Sequence, residues 1–174
     1  LAYLVAPSHV LRFSGNVNHL EMDGAIYRTS PSGLAEWQWT ANDRMVVFAS
    51  LQEGRLVYRG SNEIRNARFS TLSGGIRFGF AADWRPVVVV SGNSGKERNL
   101  TSRDDLSRDS SGARVGVELA PLDKLVFAAG YGEQSSRYVA DDPFFGLARR
   151  DYATAFDFSA TWNFNSATSL RGEL

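Results

Sequence analysis

The side chains best suited to chemistry are few, and their spacing argues against bond-making. His9 and His19 are the only imidazoles, and no Gly-x-Ser-x-Gly turn offers either one a nucleophile. There are no cysteines, which removes thiolate catalysis, thiolate zinc and a disulfide framework together. Val87 to Val90 followed by Gly92, Gly95 and Lys96 has the outline of a strand entering a phosphate loop. Only two residues separate those glycines, however, and Glu97 stands where the loop needs Ser or Thr. Gly130 and Gly132 begin a dinucleotide pattern whose third member would be Ser135, and small residues there suit strand curvature better. Asp104-Asp105 and Asp141-Asp142 could attract a divalent cation, yet Arg103, Arg108, Arg149 and Arg150 sit beside them and offset the negative field. Loop ion pairs are the expectation there, with no catalytic residue, no metal site, no cofactor and therefore no enzyme.

The chain of 174 residues is 43% apolar and 22% charged, enough for a single domain over 1–174. Nineteen basic side chains balance nineteen acidic ones, which excludes a nucleic-acid polycation. No apolar run approaches the roughly 20 residues of a membrane helix, so any membrane reading must rest on strands. Leu1 follows no signal stretch and Leu174 interrupts a pattern, so the chain is expected to be a piece of something longer.

The elements that position these residues follow from an apolar period of two. Phe156, Phe158, Ala160, Trp162 and Phe164 alternate with Asp157, Ser159, Thr161 and Asn163; similar alternations run through Leu72 to Phe80, Ala113 to Leu119, Leu11 to Val17 and Ala35 to Trp39. Met45 to Leu51 and Val87 to Val90 are apolar on both faces, which leaves their facing open. Between strands, short turns (6–9, 41–44, 81–85, 120–124 and 165–167) take turns with long polar stretches (19–33, 52–68, 92–112 and 132–150). Loops segregated in this way, with strands of about ten residues or more, predict an all-β, antiparallel up-and-down transmembrane β-barrel with about ten strands present, a fragment of a larger one.

Facing follows from the same alternation. Trp39, Phe80, Trp84, Trp162 and Phe164 lie beside short turns and are expected to form an aromatic girdle, with Tyr27, Tyr58, Tyr131, Tyr138 and Tyr152 at the other end. If the apolar flanks meet lipid, then Arg12, Glu36, Arg77, Arg114, Glu118 and Asp157 line the lumen, together with Arg171 and Glu173. Both signs occur, so ion pairs or a hydrated interior are expected and no ion selectivity is legible.

The second half carries a likeness on specific residues. Arg85-Pro86 before the valine strand, Arg103, Asp104, Asp105 through Arg108, Gly112-x-Arg114-x-Gly116, Tyr138, Asp141, Asp142, Pro143, Phe144, Phe145 and Arg149, Arg150, Asp151 together resemble Gram-negative outer-membrane barrels related to the surface lipoprotein assembly modifiers. The likeness covers approximately 67–174. It implies a bacterial outer-membrane location and contacts with outer-membrane lipid and lipopolysaccharide, whose phosphates suit the loop arginines. It further implies a periplasmic tetratricopeptide-repeat domain of the same chain, closing strands, and a pore or translocation conduit for surface-exposed or secreted protein or lipoprotein. An exopolysaccharide-export porin and a non-conducting structural or adhesive barrel are the alternatives.

Overall fold

Side chains that alternate in polarity at every second residue give each extended segment two unlike faces, and a computed structural model shows how those segments pair. It describes residues 2–164 and 168–173, apart from the side chains of Val5 and Glu173. The strands are β1 (Ala2–Ala6), β2 (His9–Met22), β3 (Ala25–Asn42), β4 (Met45–Tyr58), β5 (Ala67–Gly79), β6 (Val87–Asn99), β7 (Arg108–Leu122), β8 (Leu125–Tyr138), β9 (Arg150–Asn163) and β10 (Ser169–Glu173). Each pairs antiparallel with the next, giving one ten-stranded sheet in sequence order. Helix is confined to short 3-10 segments at Gly60–Arg65 and Asp104–Leu106. The expected all-β meander is present; closure is not, because β1 and β10 stand at the two edges of an open sheet.

The long polar stretches are mostly strand rather than loop, which corrects the sequence reading. The 19–33 stretch is a hairpin tip: β2 and β3 pair as far as Met22 and Ala25 around Asp23-Gly24, whose φ angles of 52° and 76° bend the chain in two residues. The other three shrink to 59–66, 100–107 and 139–149. Polar composition misled here because a strand that has passed its regular apolar alternation keeps its ladder while Gly, Ser, Asn and charged residues come to dominate it. Tight turns at 7–8, 43–44 and 123–124 and a longer connection at 80–86 occupy the opposite end; the expected turn at 165–167 lies outside the described residues.

Register assigns the faces. Directly paired residues share a face, so the row Phe13, Ala35, Leu51, Leu72, Ser94, Ser111, Ser135, Tyr152 lies on one side. The row Arg12, Glu36, Ser50, Ser73, Asn93, Gly112, Gln134, Ala153 lies on the other. Val88 and Val90 fall on the first, apolar side and Val87 and Val89 on the second, which settles the valine strand. Among the described residues Ala67 is the one buried hydrophobic side chain. Among the described residues nothing covers the apolar face, and the sheet they form is a single layer held by its ladder and by cross-strand side-chain pairs rather than by a core.

The apolar zone crosses the hydrogen-bond rows obliquely. The row through Trp39 passes Val47, Ile76, Val90, Val115, Tyr131 and Phe156. On the short-turn side, the apolar edge lies at Trp39 in β3, two residues past the row at Phe78 in β5, four at Leu119 in β7 and six at Trp162 in β9. A slip of one residue per strand is a rise of about 3.3 Å against a spacing of about 4.8 Å, an inclination of roughly 35°.

The polar face is the inner, crowded one. A methyl group added at Gly130 would meet Arg114 Nη2 at 2.2 Å, and one at Gly75 would meet the Val90 carbonyl at 2.4 Å and Phe48 Cζ at 2.6 Å. On the apolar face Gly33 has open space, while Gly74 and Gly92 meet only backbone, at 3.3 and 3.5 Å. Side chains converge on the polar side and diverge on the apolar side, as on a sheet curved toward its polar face.

Candidate functional site

The polar face is built from side chains that the ladder brings into reach across one strand or two. Arg12 Nη1 donates to Glu36 Oε1 at 2.8 Å and to Gln38 Oε1 at 2.9 Å, joining β2 to β3. Arg77 on β5 reaches Glu118 on β7 at 2.5 Å, and Arg114 on β7 makes a bidentate pair with Asp157 on β9. Both pairs pass over an intervening strand. Gly130 on β8 lies beneath the second, where a Cβ would collide with the guanidinium. The six sequence-predicted lumen residues, Arg12, Glu36, Arg77, Arg114, Glu118 and Asp157, thus share one face and form three ion pairs. Each pair is partly exposed, so their worth lies in ordering the face more than in stability, where such pairs give about 0–1 kcal/mol. Arg171 sits on the same face of β10, opposite Thr161.

Sequence reasoning missed the rest of this face. Phe48 and Phe69 turn inward and occupy the space above Gly75 and Gly54. Arg28 on β3 lies beside Tyr58, its guanidinium 5.7 Å from the ring centroid, and its Nε is buried without a hydrogen-bond partner, as is Ser30 Oγ. Arg108 Nη2 donates to Glu97 Oε2 at 2.9 Å. Carrying the period of two through the polar stretches would have found these residues, because parity alone puts Tyr58, Glu97 and Arg108 with Arg12. The same parity corrects one expectation: Tyr58 and Tyr138 belong to the polar face, while Tyr131 and Tyr152 are on the apolar one.

The loop motif converges at the long-connection end. Arg103 grips Asp105 with Nε and Nη2 at 2.7 and 2.5 Å; this hydrogen bond holds the Asp105 carboxyl below its ordinary range and raises the guanidinium. Arg149 donates to Asp151 at 2.7 Å and lies 5.1 Å from the Tyr138 ring centroid, and its pKa rises chiefly through the Asp151 hydrogen bond. Asp142 Oδ1 accepts the Phe144 and Phe145 amides at 2.8 and 3.3 Å, fixing a tip on which Phe144 is 92% exposed. The Val139 amide donates to the Ser107 carbonyl at 2.9 Å and ties the two connections together. A cleft of about 240 Å³ runs between them, lined by Asp105, Arg108, Tyr138, Asp142 and Arg149 among others. Asp104 and Asp141 are exposed and Arg150 opens β9, facing away from this cleft.

The expected girdle residues are all exposed, with Trp39 and Trp162 on the apolar face, Phe80 and Trp84 in the 80–86 connection and Phe164 just past β9. The imidazoles stand apart from the carboxylates described above. His9 Nδ1 accepts from the Trp37 indole at 3.2 Å and stacks on Trp37 and Trp39, and His19 Nδ1 lies 3.1 Å from Thr29 Oγ1.

Fold and site define a class by geometry: a single-layer antiparallel meander with an ion-paired inner face and an uncovered apolar outer face. No family model, no curated protein and no solved structure matches the chain.

Proposed function

We propose that this chain is part of the wall of a transmembrane β-barrel of a bacterial outer membrane, acting as a pore or translocation conduit for surface-exposed or secreted protein or lipoprotein. The observation that carries the reading is the uncovered apolar face. Side chains such as Leu72, Ile76 and Phe156 are 60%, 47% and 77% exposed, in a continuous oblique zone far larger than soluble surfaces tolerate. Lipid satisfies that zone, and its inclination of roughly 35° agrees with the strand tilt of membrane barrels.

In this reading the inner face is the lining. Ion pairs such as Arg77–Glu118 keep charges of both signs hydrated, and the cleft between 100–107 and 139–149 sits at the outer mouth. The open edges at β1 and β10 require further strands, from this protein or another copy, because an unpaired ladder in hydrocarbon costs several kcal/mol for each group left unsatisfied. Cargo class and an upstream periplasmic repeat domain come from the sequence resemblance. Outer-leaflet lipid and lipopolysaccharide are the surroundings.

Phe48 and Phe69, with Tyr58 and Tyr138, give the inner face aromatic surface that sugar rings can stack on, which favours an exopolysaccharide-export porin as the second reading. The experiment has two parts. Quenching of Trp39 and Trp162 fluorescence by brominated phosphatidylcholine tests insertion, and absence of quenching overturns the membrane reading. Conductance of the protein in planar bilayers, with protein or polysaccharide added to one side, separates conduit from inert barrel and one cargo from the other.

A further inference from the structure

On the outer face, past the apolar zone, the register sets like charges directly against each other. Arg55 on β4 pairs with Arg68 on β5, and Arg68 pairs with Arg98 on β6. In the adjoining row Arg137 on β8 pairs with Arg150 on β9, while Lys96 on β6 stands across from Asp109. Parity puts all of these on the face of Leu51, Leu72 and Phe156. Against the six cations stand Glu53 and Asp109 in the same rows. Asp109 is taken by Arg98 at 2.5 Å. Among the described residues no carboxylate lies within ion-pair distance of Arg55, Arg68, Arg137 or Arg150.

Like charges directly opposite destabilise a sheet, and a chain with equal numbers of acids and bases had acids to place there. The concentration is therefore local, and among the described residues Arg55, Arg68, Arg137 and Arg150 have no carboxylate to offset them. Arg55 and Arg68 each lie four residues beyond an apolar residue of the same strand face, Leu51 and Leu72. On an inclined strand that distance is roughly 11 Å past the hydrocarbon zone, level with a large headgroup rather than with acyl chains. The guanidinium fork pairs well with phosphate and carboxylate oxygens.

We infer that Arg55 and Arg68, with Arg137 and Arg150 beyond the internally paired Arg98, bind a membrane amphiphile whose headgroup carries several phosphates or sugar carboxylates. The inference rests on the membrane reading above. It also names a partner surface distinct from the Arg103–Asp105 and Arg149–Asp151 pairs, which are satisfied within the chain; Arg150, which lies between the latter two residues, belongs to the ladder.

The test compares the protein with an Arg55→Gln/Arg68→Gln variant and with Arg44→Gln/Lys124→Gln, which removes as much charge from the short-turn end. Each is bound to phosphatidylcholine vesicles with or without a minor fraction of lipopolysaccharide. At about 1 kcal/mol per cation near an anionic surface, the first variant loses roughly thirtyfold of the preference for lipopolysaccharide, a loss that shrinks with added salt, and the second keeps it. In zwitterionic detergent the first variant is at least as heat-stable as the parent, since a repulsion has been removed. Insertion with an unchanged lipopolysaccharide preference overturns the ladder and leaves the membrane reading standing. A fall in stability also overturns it, making the arginines structural. Failure to insert into either vesicle removes both.

Discussion

Neighbouring glycines on β5 meet two different surroundings. Gly74 faces the apolar side, where an added Cβ touches nothing nearer than the Phe48 carbonyl at 3.3 Å, while Gly75 faces the polar side, where the Val90 carbonyl stands at 2.4 Å. The side that is chemically hydrophilic is thus the sterically full one, and the oily side is open. In a water-soluble domain the reverse holds, because apolar side chains pack together and polar ones extend into solvent. Under the proposed membrane reading the organising boundary lies outside the chain, on its apolar face, and the ladder holds the shape that a core would otherwise hold.

The largest predicted effect attacks the open side. Ile76→Arg places a charge in the middle of the apolar zone and is expected to cost about 2–4 kcal/mol of folding free energy in a phosphatidylcholine bilayer. Ser73→Asn on the inner face of the same strand, polar and only slightly larger, costs little by comparison. Reversible unfolding in vesicles measures both; equal costs would erase the distinction between the faces.

Next comes crowding on the inner side. Gly75→Ala forces a methyl against backbone and is expected to destabilise by about 1–3 kcal/mol. Gly74→Ala, one residue away, costs less, because its Cβ meets only the Phe48 carbonyl at 3.3 Å, a contact that a shift of a few tenths of an ångström relieves. Denaturant midpoints in detergent discriminate them. Gly130→Ala is intermediate in mechanism: the obstructing atoms are the ends of Arg114 and Asp157, which can swing aside, so the ion pair opens while the strand stays in place. A drop of about 1 kcal/mol or less is expected there, the range of a partly exposed pair, equal to the cost of Arg114→Gln and not additive with it.

How much of this was legible in the sequence divides along the same boundary. Where one face was apolar, as in Phe156 to Phe164, a period of two assigned strand and side correctly, and the shared face of Arg12, Glu36, Arg77, Arg114, Glu118 and Asp157 followed from it. Where apolar residues thinned out and lost their regular alternation, between His19 and Gly33 or Gln52 and Tyr58, the segments passed for loops. Only the ladder, which is backbone chemistry and blind to side-chain polarity, extends them. Register was the other missing quantity. Alternation tells which residues share a face of one strand, but not that Arg55 stands opposite Arg68 or that Gly130 lies beneath Arg114, because both depend on where the turns set the pairing. The loop motif was visible as composition, and its partners were not: Arg103 takes Asp105 and Arg149 takes Asp151, each two residues along, while Arg150 between the latter turns to the other face.

The smallest predicted effect lies in that loop region, away from either face, and it is a pH dependence. Arg103 holds the Asp105 carboxyl below its usual range, so the folded connection binds that proton less readily than the unfolded chain does. The contribution is therefore fully present above the unfolded carboxylate value of about 4 and is lost as pH falls through the lower folded value. Acidification below about pH 4 is expected to loosen 100–107, and with it the Val139 to Ser107 hydrogen bond that ties down 139–149, before the strands of the sheet respond. Hydrogen exchange at pH values on either side of 4 measures this as a selective loss of protection at Val139. Asp105→Asn should bring the same loss at pH 7 and abolish its pH dependence. If Val139 stays protected in the variant, the two connections are held together by their backbone alone, and the charged motif contributes only surface charge at that end of the sheet.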